Sequence, residues 1–140
     1  MPARIAKSRL RSLLAILQAT YPDAHCALNF TTPLELLIAT ILSAQCTDVQ
    51  VNLVTATLFQ KYRTASDYVA AAPEVLAQDI QSTGFYRQKT QMIQRCCEAL
   101  LQQHHGAVPD TMEALVQLPG VGRKTANVVL GNAFNRPQGI

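Results

Sequence analysis

Apolar residues recur along this chain every three or four positions, and almost nowhere at every second one, so its segments read as helices. Leu10, Leu13, Leu14 and Leu17 form the i, i+3, i+4, i+7 stripe of an amphipathic first helix within residues 1–22. Residues 34–44 are apolar nearly all round, which predicts a central helix buried on every side. Thr32 is placed to cap it, Pro33 suits its first position, and Glu35 is spaced to reach back as in a capping box. Thr47, Asp48, Val49 and Gln50 repeat that box, and Val51, Val54, Leu58 and Tyr62 continue the stripe. Thr64 opens a short helix, and Pro73 opens another that runs to about Ile80. Gly84 breaks the chain before a long helix with the stripe Ile93, Cys96, Cys97, Leu100 and Leu101, which Gly106 ends. Asp110, Thr111, Met112 and Glu113 cap a short helix that stops at Pro119 and Gly120. A last helix is expected over residues 121–134, with Ala126, Val129, Leu130 and Ala133 inward, followed by an extended tail at 135–140. No alternating strand, repeat or low-complexity linker intervenes. The expected fold is all-α, a bundle or barrel of short helices in a single domain over residues 1–140.

Composition narrows the class. A chain of 140 residues with 49% apolar and 15% charged residues builds one core and is neither disordered nor supercharged. The net charge of +3 does not by itself indicate a nucleic-acid partner, but its distribution is more telling. Arg4, Lys7, Arg9 and Arg11 crowd the start; Arg87, Lys89 and Arg95 form a second group; Arg123, Lys124 and Arg136 form a third. No acidic residue follows Glu113, so the last stretch can face phosphates, whereas solubility explains the first group equally well. No apolar run approaches the roughly 20 residues of a membrane span, and no signal peptide is evident, so a cytoplasmic protein without a membrane partner is expected. Cys26, Cys46, Cys96 and Cys97 lack zinc-site spacing and are expected to be buried reduced thiols, with no metal ligands. His104 and His105, at a helix end before Gly106, fit an interaction with the last carbonyls.

The most informative segment is a helix, a tight turn and a second helix spanning residues 110–133. Gly120 and Gly122 let the backbone turn without a Cβ and let another backbone approach. The turn opens into a helix N-terminus, which favours an anion, and Arg123 and Lys124 follow at once. A phosphate fits that pattern, and such a contact positions DNA without reading its sequence. A plain turn between two helices is the simpler alternative.

Three ordered motifs resemble one family. Leu118-Pro119-Gly120-Val121-Gly122-Arg123-Lys124-Thr125-Ala126-Asn127 is similar to the helix-hairpin-helix motif of the endonuclease III family. Leu42-Ser43-Ala44-Gln45-Cys46-Thr47-Asp48 resembles that family's signature at the end of its central helix, and Gly84-Phe85-Tyr86-Arg87-Gln88-Lys89 its DNA-probing loop. The resemblance implies a six-helix barrel over about residues 30–134 and a repair enzyme acting on double-stranded DNA at damaged pyrimidines or abasic sites. It implies removal of oxidised pyrimidines by an N-glycosylase step, then strand nicking by an AP-lyase β-elimination. Lys124 matches the catalytic lysine that forms a Schiff base, which calls for a depressed pKa, expected from burial in a cleft and from Arg123 beside it. Gln45 matches the side chain that fills the hole left by a flipped nucleotide, although a helix-end polar residue is the plainer reading. Phe85 stands where the family usually carries a leucine wedge; a ring can also unstack a base step, and a core position is its alternative. Gly120, Val121, Gly122, Arg123 and Thr125 complete the expected DNA-binding set, while Asp48 either lines the pocket or favours its helix N-terminus.

The resemblance also implies an aspartate and a four-cysteine [4Fe–4S] region that this family carries further along than Ile140. From that the sequence suggests a fragment or shortened product with poor catalysis, and exposure of the Leu10–Leu17 stripe that promotes association. Two other readings compete. One is a non-catalytic helix-hairpin-helix module that binds DNA through its backbone alone. The other is an adenine-mismatch glycosylase of the same superfamily, disfavoured because residues 38–44 hold no carboxylate and Lys124 is present.

Overall fold

The most apolar segment of the chain sits where its pattern puts it, at the centre. The computed structural model describes residues 27–134. The Leu10–Leu17 stripe, the N-terminal basic group, Cys26, Arg136 and the tail at 135–140 lie outside them. Among the described residues every regular element is helical: α1 (Pro33–Leu42), α2 (Asp48–Lys61), α3 (Ala65–Ala70), α4 (Pro73–Asp79), a 3-10 turn (Gln81–Thr83), α5 (Tyr86–His104), α6 (Met112–Val116) and α7 (Arg123–Ala133). The all-α class is as expected. The described residues hold seven α-helices, with Thr64 and Pro73 starting separate short ones between Tyr62 and Ile80, as their spacing predicts.

Threonine does most of the capping. Thr32, Thr47, Thr64 and Thr111 each accept from the backbone N–H three residues on, satisfying one of the donors a helix start leaves open. The reciprocal half of the box is complete at Thr64, where the Asp67 carboxylate accepts from the Thr64 N–H. Two expected boxes differ. Glu35 reaches one residue further, to the N–H and Oγ1 of Thr31 at 2.7 and 2.9 Å. Gln50 turns away from Thr47 and donates to Ser82 Oγ at 2.9 Å, tying α2 to the 3-10 turn.

Leu36, Leu37, Ile38, Ala39 and Leu42 of α1 are fully enclosed. They pack against α7, through Ala126, Val129 and Leu130, and against α5, through Ile93, Cys96, Cys97 and Leu100. α3 and α4 lie along α5. Gln94 of α5 donates to the carbonyls of Tyr68 and Ala71 at 3.0 and 2.9 Å, closing the open end of α3. Tyr62 and Tyr68 stack with centroids 4.9 Å apart, and the Tyr62 hydroxyl donates to Asp79 at 2.7 Å, beside the Lys61–Asp79 ion pair. The last helix begins at Arg123, two residues later than expected, because Val121 is buried in the preceding turn.

Cys96 and Cys97 are buried as expected, whereas Cys46 sits half-exposed in the loop after α1. Burial pushes the Cys96 thiol from 9.0 up to about 12, and Cys97 is raised as well. The folded state therefore keeps protons that the unfolded chain loses, so stability present below pH 9 falls as pH rises towards 12. Each thiol contributes up to about 1.4 kcal/mol per pH unit in that window. Urea unfolding of Cys96→Ala/Cys97→Ala between pH 9 and 11 should show a flatter decline than the parent chain, and parallel declines would refute this account.

Candidate nucleic-acid interface

Charge at the helix starts divides the seven helices into two sets. α1, α2, α3, α4 and α6 each carry an acid in the first turn, namely Glu35, Asp48, Asp67, Glu74 and Glu113, as the positive end of a helix dipole favours. α5 and α7 carry none. They open instead with Arg87 and with Arg123 and Lys124, and neither has a side-chain cap. A cation against that end costs about 0.3–1 kcal/mol. An anion seated there reverses the sign and occupies the open N–H groups. Asp48 is exposed in the first turn of α2, where its carboxylate meets the positive end of the helix.

The hairpin before α7 shows why its two glycines differ. Gly120 has φ +78°, and a Cβ there would stand 3.2 Å from Met92 Cβ and 3.3 Å from Met92 Cγ. It is fixed by backbone and by α5. Gly122 has an ordinary φ of −92°, and a Cβ there would meet nothing within 4 Å. Leu118 and Val121 are buried and anchor the turn, joined by a Val121 N–H to Leu118 carbonyl bond of 3.1 Å. The first intrahelical bond of α7 runs from Ala126 N–H to the Gly122 carbonyl, so the N–H groups of Arg123, Lys124 and Thr125 precede it. Arg123 and Lys124 are exposed and Thr125 half-buried. The cleft burial expected for Lys124 is therefore absent: as the second residue of α7 it projects from the helix start. One turn on, Asn127 Oδ1 is buried with no hydrogen-bond partner, an acceptor near the lysine that the sequence reading did not single out.

Gln45 and Phe85 share a backbone feature. Among the described non-glycine residues only Gln45 (φ 53°), Phe85 (φ 48°) and His105 (φ 55°) are left-handed. His105 closes the C-terminal end of α5, where that conformation is common. Gln45 and Phe85 have no such excuse, and a left-handed non-glycine residue costs about 1–2 kcal/mol. Both are exposed, Phe85 at 54%, which rules out the core alternative for its ring.

Among the described lysines the buried one is Lys89, 3% exposed, with Nζ donating to the Leu42 carbonyl at 2.7 Å and the Thr83 carbonyl at 2.8 Å. Desolvation lowers its pKa below 10.5, with the Cys46 sulfur pulling the other way. Lys89 thus joins the Gln45 loop to the Phe85 loop, and Met92, on the same helix, faces the hairpin. The three motifs converge on the first half of α5. The described cysteines do not suit an iron–sulfur cluster: Cys96 and Cys97 are adjacent in the core and Cys46 stands apart in a loop. No group of three metal-ligating side chains occurs among the described residues, and no described helix is long and apolar enough to cross a membrane.

Residues 38–137 match the model of the HhH-GPD superfamily of base excision DNA repair proteins. The chain is 48% identical over 134 residues to endonuclease III of Synechocystis sp. strain PCC 6803, and 51% identical over 117 residues to that of Bacillus subtilis. These alignments cover 96% and 84% of this chain but 61% and 53% of the relatives, so it spans little more than half their length. Among solved structures it is similar to a non-covalent endonuclease III–DNA complex, with TM-score 0.79 and 52% identity over 92% of this chain and 60% of that one. A trapped endonuclease III–DNA covalent intermediate matches with the same score and identity, 61% of that chain being covered. A thermostable thymine-DNA glycosylase, at 24% identity and TM-score 0.76, shares the fold.

The two glycines should separate stability from binding. Gly120→Ala should lower unfolding free energy by about 1–2 kcal/mol through its left-handed φ and the Met92 contact. Gly122→Ala should leave the melting temperature nearly unchanged and weaken duplex binding severalfold. Equal effects of both on thermal melts and on fluorescence-anisotropy titrations would reject this division.

Proposed function

Because this chain belongs to the HhH-GPD superfamily of base excision DNA repair proteins, we propose that it acts on double-stranded DNA at damaged pyrimidines and abasic sites. The observation that carries the reading is the pair of helix starts with neither a side-chain cap nor a first-turn acid, α5 and α7, which set Arg87, Arg123 and Lys124 where an anion is needed. Phosphates of one backbone supply that anion and hold the duplex without reading its sequence. Gln45 and Phe85 then probe the stack, the amide entering the space of an extruded nucleotide and the ring parting a base step.

Lys124 is the nucleophile. Its neutral amine attacks the sugar C1′, the bond from C1′ to the base breaks, and the base leaves with a proton. The C1′–O4′ bond then breaks as O4′ takes up a proton, and the imine left at C1′ makes the C2′ proton acidic. Loss of that proton and of the 3′ phosphate completes β-elimination, and water releases the lysine. As Lys124 is exposed in the free protein, its desolvation comes from the DNA that covers it. The existence of a covalent endonuclease III–DNA intermediate supports a protein nucleophile here.

Borohydride should trap the chain on abasic-site duplex, and Lys124→Ala should reduce the trapped fraction by about a hundredfold or more. Trapping that survives the substitution removes Lys124 from the mechanism. Salt-dependent binding with no trapped complex would identify a non-catalytic DNA-binding module instead.

A further inference from the structure

The loops bearing Gln45 and Phe85 end on the same cation. Leu42 is the last residue of α1, three positions before Gln45; Thr83 is the last of the 3-10 turn, two positions before Phe85. The Lys89 ammonium holds both carbonyls, at 2.7 and 2.8 Å, from a position 3% exposed. Just past each carbonyl the chain turns left-handed. A second tie, Gln50 Nε2 to Ser82 Oγ at 2.9 Å, joins the same two segments nearer the surface.

We propose that Lys89 is a positioning residue for lesion recognition: it fixes the spacing of the Gln45 and Phe85 loops, so that both enter the duplex as one unit. The inference rests on reading those two residues as DNA probes. Lys89 is enclosed and touches no DNA, so it acts only through the loops. A neutral core residue in its place leaves two carbonyls without a partner. The loops would then regain water by moving apart, since each left-handed residue relaxes once its anchor is released. Affinity for undamaged duplex depends less on that spacing, because the start of α7, to which Lys89 makes no hydrogen bond, grips phosphate independently. Damage recognition depends on it.

Lys89→Met keeps the apolar stem and removes the charge and its donors. Affinity for duplex with a tetrahydrofuran abasic-site analogue should fall about tenfold, and affinity for undamaged duplex by less than about twofold, with the salt slope unchanged. In a Gln45→Ala background the tenfold loss should shrink, because the loop being positioned no longer carries its probe. Equal losses on both duplexes, or full additivity with Gln45→Ala, would overturn the proposal and leave Lys89 a purely structural residue. If Lys89→Met does not fold, native-state hydrogen exchange of the unmodified chain decides. The Cys46 amide, bonded to the Ser43 carbonyl, and the Gly84 amide, bonded to the Gln81 carbonyl, should open with the same free energy. Different opening energies would overturn it. A parent chain with no preference for the abasic analogue would refute the functional reading instead, and the exchange experiment would still test the clamp.

Discussion

A single buried ammonium ties together the two loops that carry Gln45 and Phe85. Taking a lysine charge out of water is costly, and no carboxylate partner of Lys89 offsets it. Two carbonyls do, and both lie at the ends of helical segments, where the backbone dipoles leave partial negative charge and open acceptors. The last carbonyl of α1 gains a donor that its own helix cannot supply. The arrangement therefore solves two problems at once. α1, enclosed by apolar neighbours and without a basic residue in its last turn, needs a distant cation to finish it.

Elsewhere the chain follows local rules closely, and the departures gather on one set of elements. Threonine caps and first-turn acids open α1, α2, α3 and α6. The starts of α5 and α7 break that pattern, with basic residues and no cap. Gln45 and Phe85 break a second rule, holding backbone conformations that their side chains disfavour. Gly122 breaks a third, leaving bare a position where a side chain would fit. Local conflict of this kind is expected where a sequence answers to a ligand as well as to its own stability.

Much of this was readable from residue types. The stripes of α1, α5 and α7 and the four threonine caps follow from spacing, and the hairpin from Pro119 and its glycines. The left-handed conformations were not readable, because nothing about Gln45 or Phe85 as residue types favours them; tertiary anchoring imposes them. Lys89 was readable in principle. The stripe Ile93, Cys96, Cys97, Leu100, extended back by four positions, lands on Lys89, and a lysine on the buried face of a helix needs acceptors. By spacing alone it groups with Arg87 and Arg95. The cleft expected around Lys124 is missing because a second-position helical residue beside a solvent-facing turn has little to cover it. Lys89, which groups with surface charge by spacing, is thus interior, and Lys124, expected in a cleft, stands exposed.

That difference separates gripping from probing. Helix starts grip a phosphate backbone wherever it passes, so they bring affinity without discrimination. On the proposed function, probing depends on distances, because an amide and a ring inserted into one duplex must arrive at a set separation, with Lys124 in reach. Lys89 and Met92 are three residues apart on α5 and so project from neighbouring positions of its surface, about 5–6 Å between Cβ atoms. One holds the loops of Gln45 and Phe85 and the other seats Gly120 of the hairpin that leads to Lys124. Less than one helical turn of α5 therefore relates all three motifs, and a turn of helix is among the stiffest rulers a small domain can build. Loops alone would let the three drift independently; mounted on one helix, they keep one spacing.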